Sequence, residues 1–286
     1  MTDNFMRVGK YSVHIIESGY FKLDGGAMFG VIPKPLWEQT NPADEENRIK
    51  LATRNLLLVS ESKKILVDTG MGNKWNDKNK EIYAIDQKSF SLEQSLLKLN
   101  LTPGDITDVI LTHLHFDHCG GSTISDNNKL VPAFPNATYY VQKQNYQWAV
   151  NPSERDRGSY IKDNFIPLYE AGVLLLIEGE KKFDDEIDLI IVNGHTFGQQ
   201  LLKISDSSNT FLYCCDLFPT TSHLPLPYVM GYDLQPLVTI EEKKKILKSA
   251  LDENWKLFFE HDPETAYTTV TSTDKGIRIK DKYKSF

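Results

Sequence analysis

Thr112-His113-Leu114-His115-Phe116-Asp117-His118-Cys119-Gly120-Gly121 places three imidazoles and a carboxylate within a few residues of one another. The stretch follows an apolar run, Ile106 to Thr112, that reads as a short strand. Side chains alternate along extended chain, so His113 and His115 point to the same side and can grip one ion together. Asp117 and His118 come where the chain turns toward a helix, and they can face a second ion nearby. Imidazole nitrogens with a carboxylate suit a borderline divalent ion such as zinc. The bland alternative is a polar turn with incidental His; four ligand-type residues at this spacing argue against it.

Each ion would still lack ligands, and three more places supply donors at the ends of predicted strands. Asn193-Gly194-His195-Thr196 follows Leu189 to Val192, Cys215-Asp216 follows Thr210 to Cys214, and Glu260-His261-Asp262 follows Lys256 to Phe259. Taken alone each is weak, because a solitary His at a strand end is more often a hydrogen-bonded structural residue. Beside the first cluster they gain weight.

The surrounding pattern is strands first, then alternating strands and helices, then strands again. Lys10 to Ser18 reads as a strand, and Asn55 to Ser60 with Lys63 to Asp68 as a hairpin turning at Glu61-Ser62. Ser91-Leu92-Glu93-Gln94 reads as a capped helix start, followed by an apolar stripe of Leu92, Leu96, Leu97 and Leu99. Thr138 to Gln142, Val173 to Ile177 and Leu201 to Ser205 read as further strands. Ile240 to Leu251 is an amphipathic helix with Thr239 as its cap and Glu242 three residues on, and Lys256 to Glu260 is a final strand. The charge runs Glu241 to Lys245 and Lys280 to Lys284 read as solvated faces. This order predicts an α/β protein in which two sheets pack face to face under a cover of helices, in one domain spanning residues 1–286. Two long loops rich in Gly and Pro, Asp24 to Pro42 and Pro219 to Pro236, are of the kind that serves function. Their aromatics Phe29, Trp37, Tyr228 and Tyr232 are candidates for an apolar substrate pocket, with ordinary loop packing as the equal alternative.

Composition narrows the partners. The net charge of −7 over 286 residues argues against a nucleic-acid or anionic-membrane surface. No apolar run approaches the roughly 20 residues of a membrane span, and the first residues lack a signal-peptide profile. Three Cys, two of them adjacent at Cys214 and Cys215, make no disulfide framework. A cytoplasmic protein with a small-molecule substrate is the expectation. Cys119 reads as a small buried apolar residue, and His14 as a strand residue without function.

His113-x-His115-x-Asp117-His118, then His195, Asp216 and His261 in that order, resembles the metallo-β-lactamase superfamily. Within it, His-Leu-His-Phe-Asp-His, Asp68-Thr69-Gly70, the ending Phe258-Phe259-Glu260-His261-Asp262 and the early segment Leu23 to Trp37 resemble the quorum-quenching N-acyl-homoserine lactone lactonases. The resemblance implies an αββα sandwich of two mixed β-sheets flanked by helices, with two divalent metal ions, zinc above all, at one edge. It implies that His113, His115 and His195 hold the first ion, that Asp117, His118 and His261 hold the second, and that Asp216 bridges them. Asp68 would orient a ligand from behind, and Asp117 would carry a proton to the leaving alkoxide. A homodimer through the Asp24 to Pro42 arm is a further implication.

The implied reaction is lactone opening by a metal-bridging hydroxide, with cleavage of aryl esters or organophosphate triesters on the same site as the alternative. A thioesterase of the glyoxalase II kind fits less well, for want of a basic tract. The di-iron redox branch fits less well too, because it places Glu where this chain has His115. Two departures from the lactonases stand out. Pro219 occupies the position of a Tyr that follows the bridging Asp, and Gly194-His195-Thr196-Phe197-Gly198-Gln199 replaces a Gly-His-Thr-Pro-Gly-His motif. His223 and Tyr232 are the candidates to replace the missing polar group.

Overall fold

A computed structural model describes residues 5–286. They fall into two compact units, one ending at Gly19 and resuming over Thr53–Gly179, the other made of Tyr20–Ala52 and Glu180–Phe286.

The first unit is built on a seven-stranded mixed sheet. Its strands are β1 (Met6–Val8), β2 (Tyr11–Asp24), β3 (Arg48–Val59), β4 (Lys64–Val67), β5 (Asp108–Ile110), β8 (Thr138–Gln142) and β9 (Leu174–Ile177), hydrogen-bonded in the order β1-β2-β3-β4-β5-β8-β9. A separate hairpin pairs β6 (Thr123–Asp126) with β7 (Lys129–Pro132). β2 and β3 carry on past the unit's boundary. The hairpin about Glu61-Ser62 forms as predicted, with Val59 opposite Lys64. β4, β5, β8 and β9 run parallel. Leu57, Leu66, Val109, Tyr139 and Leu174 from these strands join one buried cluster with Leu96, Leu114 and Cys119. Each such side chain contributes about 1.5–3 kcal/mol when fully buried.

Within this unit three expectations need correcting. β2 runs six residues past Ser18, to Asp24. β5 is shorter than Ile106 to Thr112: the Leu111 N–H still reaches the Tyr140 carbonyl at 2.9 Å, but the Thr112 N–H turns to Asp68. In the helix Leu92–Lys98, Ser91 caps as expected by accepting the Gln94 N–H, but Leu97 is 60% exposed and stands outside the apolar stripe. The helix Lys143–Val150 had no clear signal in the sequence.

The second unit carries another seven-stranded mixed sheet. In chain order, which is also spatial order, it contains β10 (Lys181–Lys182), β11 (Ile187–Val192), β12 (Gln199–Ser205), β13 (Thr210–Tyr213), β14 (Lys256–Phe258), β15 (Tyr267–Thr273) and β16 (Gly276–Tyr283). Only β13 and β14 pair in parallel; the helix Pro236–Asp252 forms their crossover. Lys256 to Glu260 is therefore not the last strand, since β15 and β16 follow. The helix starts earlier than Ile240, at Pro236, whose ring presets the first helical residue. Thr239 is inside its first turns and buried, not its cap. The Asp24 to Pro42 segment holds two short helices, Gly25–Phe29 and Lys34–Trp37, the first capped by Asp24 through the Ala27 N–H. Among the described residues no helix is long and apolar enough to cross a membrane.

One close backbone approach positions the His-rich stretch. Gly70 pairs with Cys119 in an isolated parallel bridge. At Gly72, with φ +64°, a Cβ would stand 2.1 Å from the Gly120 carbonyl oxygen. Lys74 ties the same turn down by donating to the carbonyls of Gly120 and Thr123 at 2.6 and 2.7 Å. Gly72→Ala is expected to lower unfolding free energy by about 1–3 kcal/mol, the usual cost of overpacking. A urea midpoint equal to that of the unaltered chain would show that the turn yields freely.

Candidate functional site

In the first unit the candidate residues gather where β4 and β5 end side by side, Val67 beside Ile110. Asp68 follows β4 in the left-handed region, φ 57°. Its buried carboxylate accepts the Thr112 N–H on Oδ1 and the Thr112 hydroxyl on Oδ2, both at 2.7 Å. His118 Nδ1 lies 3.1 Å from the same Oδ2. Because Thr112 gives its hydroxyl hydrogen to Asp68, it can accept from His113 Nδ1, 3.1 Å away. These partners assign the hydrogen of both rings to Nδ1 and make each Nε2 the ring's acceptor, the tautomer a metal ligand needs.

His115 caps the short helix Phe116–Cys119, and its Nδ1 lies 2.9 Å from His113 Nε2. That pair shares a proton which a bound ion would displace. Asn145, from the helix Lys143–Val150, accepts the Leu114 N–H at 2.9 Å and so fixes the residue between the two His. Asp117 Oδ2 stands 3.8 Å from His118 Nε2. Trp75, Tyr83 and Phe116 pack ring to ring beside this turn, with centroids 5.0–5.5 Å apart. Burial, then the Asp117 charge, pushes the Tyr83 phenol up and keeps it protonated. Cys119 packs in the core, and burial pushes its thiol up, away from the thiolate a metal requires.

In the second unit the strand register collects the other candidates at one sheet end. Val192 pairs with Gln199, Leu202 with Tyr213, and Tyr213 with Phe258. The segments holding His195, Asp216 and His261 thus leave the sheet on the same side. His195 Nε2 lies 3.1 Å from Asp216 Oδ2, and His261 Nε2 lies 3.2 Å from Asp216 Oδ1. One carboxylate therefore sits between two imidazoles, one on each oxygen. The far nitrogens are also held. His195 Nδ1 meets Asp233 Oδ1 at 2.9 Å, and His261 Nδ1 donates to the Ala52 carbonyl at 2.8 Å. Burial works against charge on His195, but Asp216 and Asp233 outweigh it and hold the metal-free imidazole up at about 9. An ion binding there must displace that proton. Buried nitrogen and carboxylate donors, with their outer ring nitrogens already fixed, form a donor set that fits divalent ions of the zinc type.

Sequence reasoning missed Asp233, Thr112, Asn145 and the Ala52 carbonyl, which have no local signature. Of the two alternatives for the loop aromatics, packing holds at Phe29 and Trp37. Phe29 and Trp37 are buried and stacked on one another at 5.4 Å, and His223 stacks on Phe29 at 4.6 Å. His223 has both ring nitrogens engaged, with Thr220 Oγ1 and the Met28 carbonyl, each at 2.8 Å. Phe29, Trp37 and His223 thus form a closed core that shapes the loops and does not present an open wall. Tyr228 meets Phe29 edge-on and lines a cavity of about 650 Å³ with Leu36, Thr221, Asp262, Arg278 and Lys282. Tyr232 is 36% exposed. Pro219 is buried, and its carbonyl accepts the His261 N–H at 3.1 Å. Cys214 and Cys215 lie just past β13 and are buried.

Residues 51–261 match the model of the metallo-beta-lactamase superfamily. A solved structure described as a probable metal-dependent hydrolase from Staphylococcus aureus is 31% identical, with TM-score 0.87 over 97% of this chain and 98% of that one. A dizinc quorum-quenching lactonase solved with a homoserine product has TM-score 0.80 at 23% identity, over 98% and 97% of the two chains, which shows a shared fold. Among curated proteins, an N-acyl homoserine lactonase of Bacillus thuringiensis is 28% identical over 172 residues, 59% of this chain. The match spans 61% of that relative's length.

Asp68→Ala is expected to weaken binding of divalent ions by about 10–100-fold in a chelator competition, as loss of an outer hydrogen-bond partner usually does. Unchanged affinity would remove Asp68 from the site. A second expectation concerns acid. Burial lowers His223 from 6.5 to about 4. Between those values the unfolded chain takes up a proton that the folded chain refuses, so stability falls as pH falls through this window. In His223→Gln, denaturant titrations from pH 7 to 4 should show a shallower acid loss; an identical slope would contradict the assignment.

Proposed function

The chain belongs to the metallo-β-lactamase superfamily, and from that membership we propose that it is a metal-dependent hydrolase that opens lactone rings, with N-acyl-homoserine lactones as the substrate class. In this reading His113, His115 and His195 hold one ion, Asp117, His118 and His261 hold the other, and Asp216 bridges them. The observation that carries the reading is the Asp216 carboxylate, with an imidazole nitrogen 3.1 Å from one oxygen and another 3.2 Å from the other. A carboxylate so placed suits a bridge between two ions. The lactone substrate rests on relatives named N-acyl homoserine lactonase.

Bound there, two zinc-type ions supply hydroxide at neutral pH and polarise a carbonyl oxygen. The chain's own residues do the rest. Asp68, through Thr112 and His118, and Asp233, through His195, fix the rings so that their lone pairs need no reorientation. Asp117, at the start of its short helix, would take the proton that the attacking hydroxyl gives up and pass it to the ring oxygen as the acyl C–O bond breaks, which leaves a free alcohol and a carboxylate. Trp75, Tyr83 and Phe116 offer an apolar surface beside Asp117 for the organic part of the substrate.

One observation favours a second reading. Pro219 has no hydroxyl, and His223 has both nitrogens engaged with its own unit, so neither offers a polar group to a lactone carbonyl. An aryl ester or an organophosphate triester, activated by its own leaving group, needs such help less. A panel of acyl-homoserine lactones, simple lactones, aryl esters and phosphotriesters separates the two, and preference for lactones is the expected outcome. Turnover of phosphotriesters alone would give the case to the second reading. His118→Ala, folded by circular dichroism, should lose more activity than the about 10–100-fold typical of an outer partner.

A further inference from the structure

The segment carrying His195 is bound along its backbone by the stretch that begins the crossover helix. Glu242 accepts the Asn193 N–H on Oε1 at 2.7 Å and the Gly194 N–H on Oε2 at 3.0 Å. Gln235 donates its side-chain amide to the Asn193 carbonyl at 3.0 Å and its own N–H to the Gly194 carbonyl at 2.8 Å. Leu234 N–H donates to the His195 carbonyl at 3.0 Å. The fit leaves no room for a side chain, since a Cβ on Gly194 would fall 2.3 Å from Thr239 Oγ1 and 2.4 Å from the Thr239 nitrogen.

The next residue on the helix reaches a different target. Lys243 is buried, and its Nζ donates to the carbonyls of His223, Pro225 and Tyr228 at 2.6, 2.8 and 2.9 Å. The loop gathered this way leads on to Asp233, which meets His195 Nδ1 at 2.9 Å. Glu241 to Lys245 is therefore not wholly a solvated face. Two of its members bind backbone that converges on one imidazole, Glu242 from below the ring's own chain and Lys243 through the loop behind it.

We propose that Glu242 is a positioning residue for His195, seconded by Lys243, and that the crossover helix thereby sets how tightly the His195 ligand position holds a metal ion. The proposal rests on the reading of His195 as a metal ligand. A carboxylate is suited to the task because it accepts two adjacent N–H groups with the strength of a charged acceptor. An amide offers one acceptor and turns its NH2 against the second donor.

The test compares Glu242→Gln with the unaltered chain and with Glu241→Gln, an exposed neighbour paired with Lys244 at 2.6 Å. Hydrogen exchange of the metal-free proteins is read first. Glu242→Gln should speed exchange at the Asn193 and Gly194 amides while leaving β11–β13 protected, whereas a merely structural defect would loosen the sheet as well. Zinc titration and the cobalt(II) absorption spectrum come second. Affinity in Glu242→Gln should fall by about 10-fold or more, with an altered cobalt spectrum, and Glu241→Gln should match the unaltered chain. If Glu242→Gln does not fold, Gln235→Ala, which loses one bond to Asn193, is expected to shift both readouts the same way by less. The proposal is overturned if every folded variant keeps its amide protection and binds zinc within about two-fold of the unaltered chain. An unaltered chain that binds no zinc would defeat the metal-ligand reading instead, and the exchange data would still judge the clamp.

Discussion

A buried carboxylate must find donors or give up its charge, and Asp68 finds three of them in two side chains and one backbone group. Those donors belong to Thr112 and His118, which flank the densest run of ligand-type residues in the chain. Satisfying one charge therefore fixes where β5 stops, which nitrogen of His113 carries its hydrogen, and how the His118 ring is turned. The left-handed backbone at Asp68, and the glycines that let Gly72 and Gly120 touch, are the local conditions for that arrangement. Replacing the carboxylate would undo several pieces of geometry together, because they share an acceptor.

The second unit solves the same problem with different chemistry. His195 is backed by a carboxylate and His261 by a backbone carbonyl. A carboxylate raises the basicity of the ring it holds more than a carbonyl does, so the two rings flanking Asp216 are unequal donors although they are placed alike. The aromatic loops contribute by packing. Phe29, Trp37 and His223 form a stack that holds the Asp24 to Pro42 and Pro219 to Pro236 segments in register.

The sequence was legible where the signal is local. A dense run of ligand-type residues marked His113 to His118, strand ends marked His195, Asp216 and His261 as candidates, and the Ser91 cap and the turn at Glu61-Ser62 follow from near neighbours. It was illegible where the partner is distant along the chain. Asp233 and the Ala52 carbonyl carry no pattern that points to His195 or His261. Charge composition misled at Glu241 to Lys245, because a helix can turn Lys243 inward when loop carbonyls replace its water. β16 is hard to read because half of its residues are charged and most of it is exposed. Thr239 looked like a cap by type, yet its place against Gly194 demands a small residue on the partner and a close contact, which no propensity encodes.

The parallel pairing of β13 with β14 has a temporal consequence. Asp216 stands just past β13 and meets His261 only when β14 has docked across the intervening loop and helix. Closing so long a connection is slow relative to forming a hairpin. During synthesis, Asp216 and His195 leave the ribosome together, while the second imidazole arrives near the chain's end. Until then only two of this unit's three proposed donors, His195 and Asp216, are at hand.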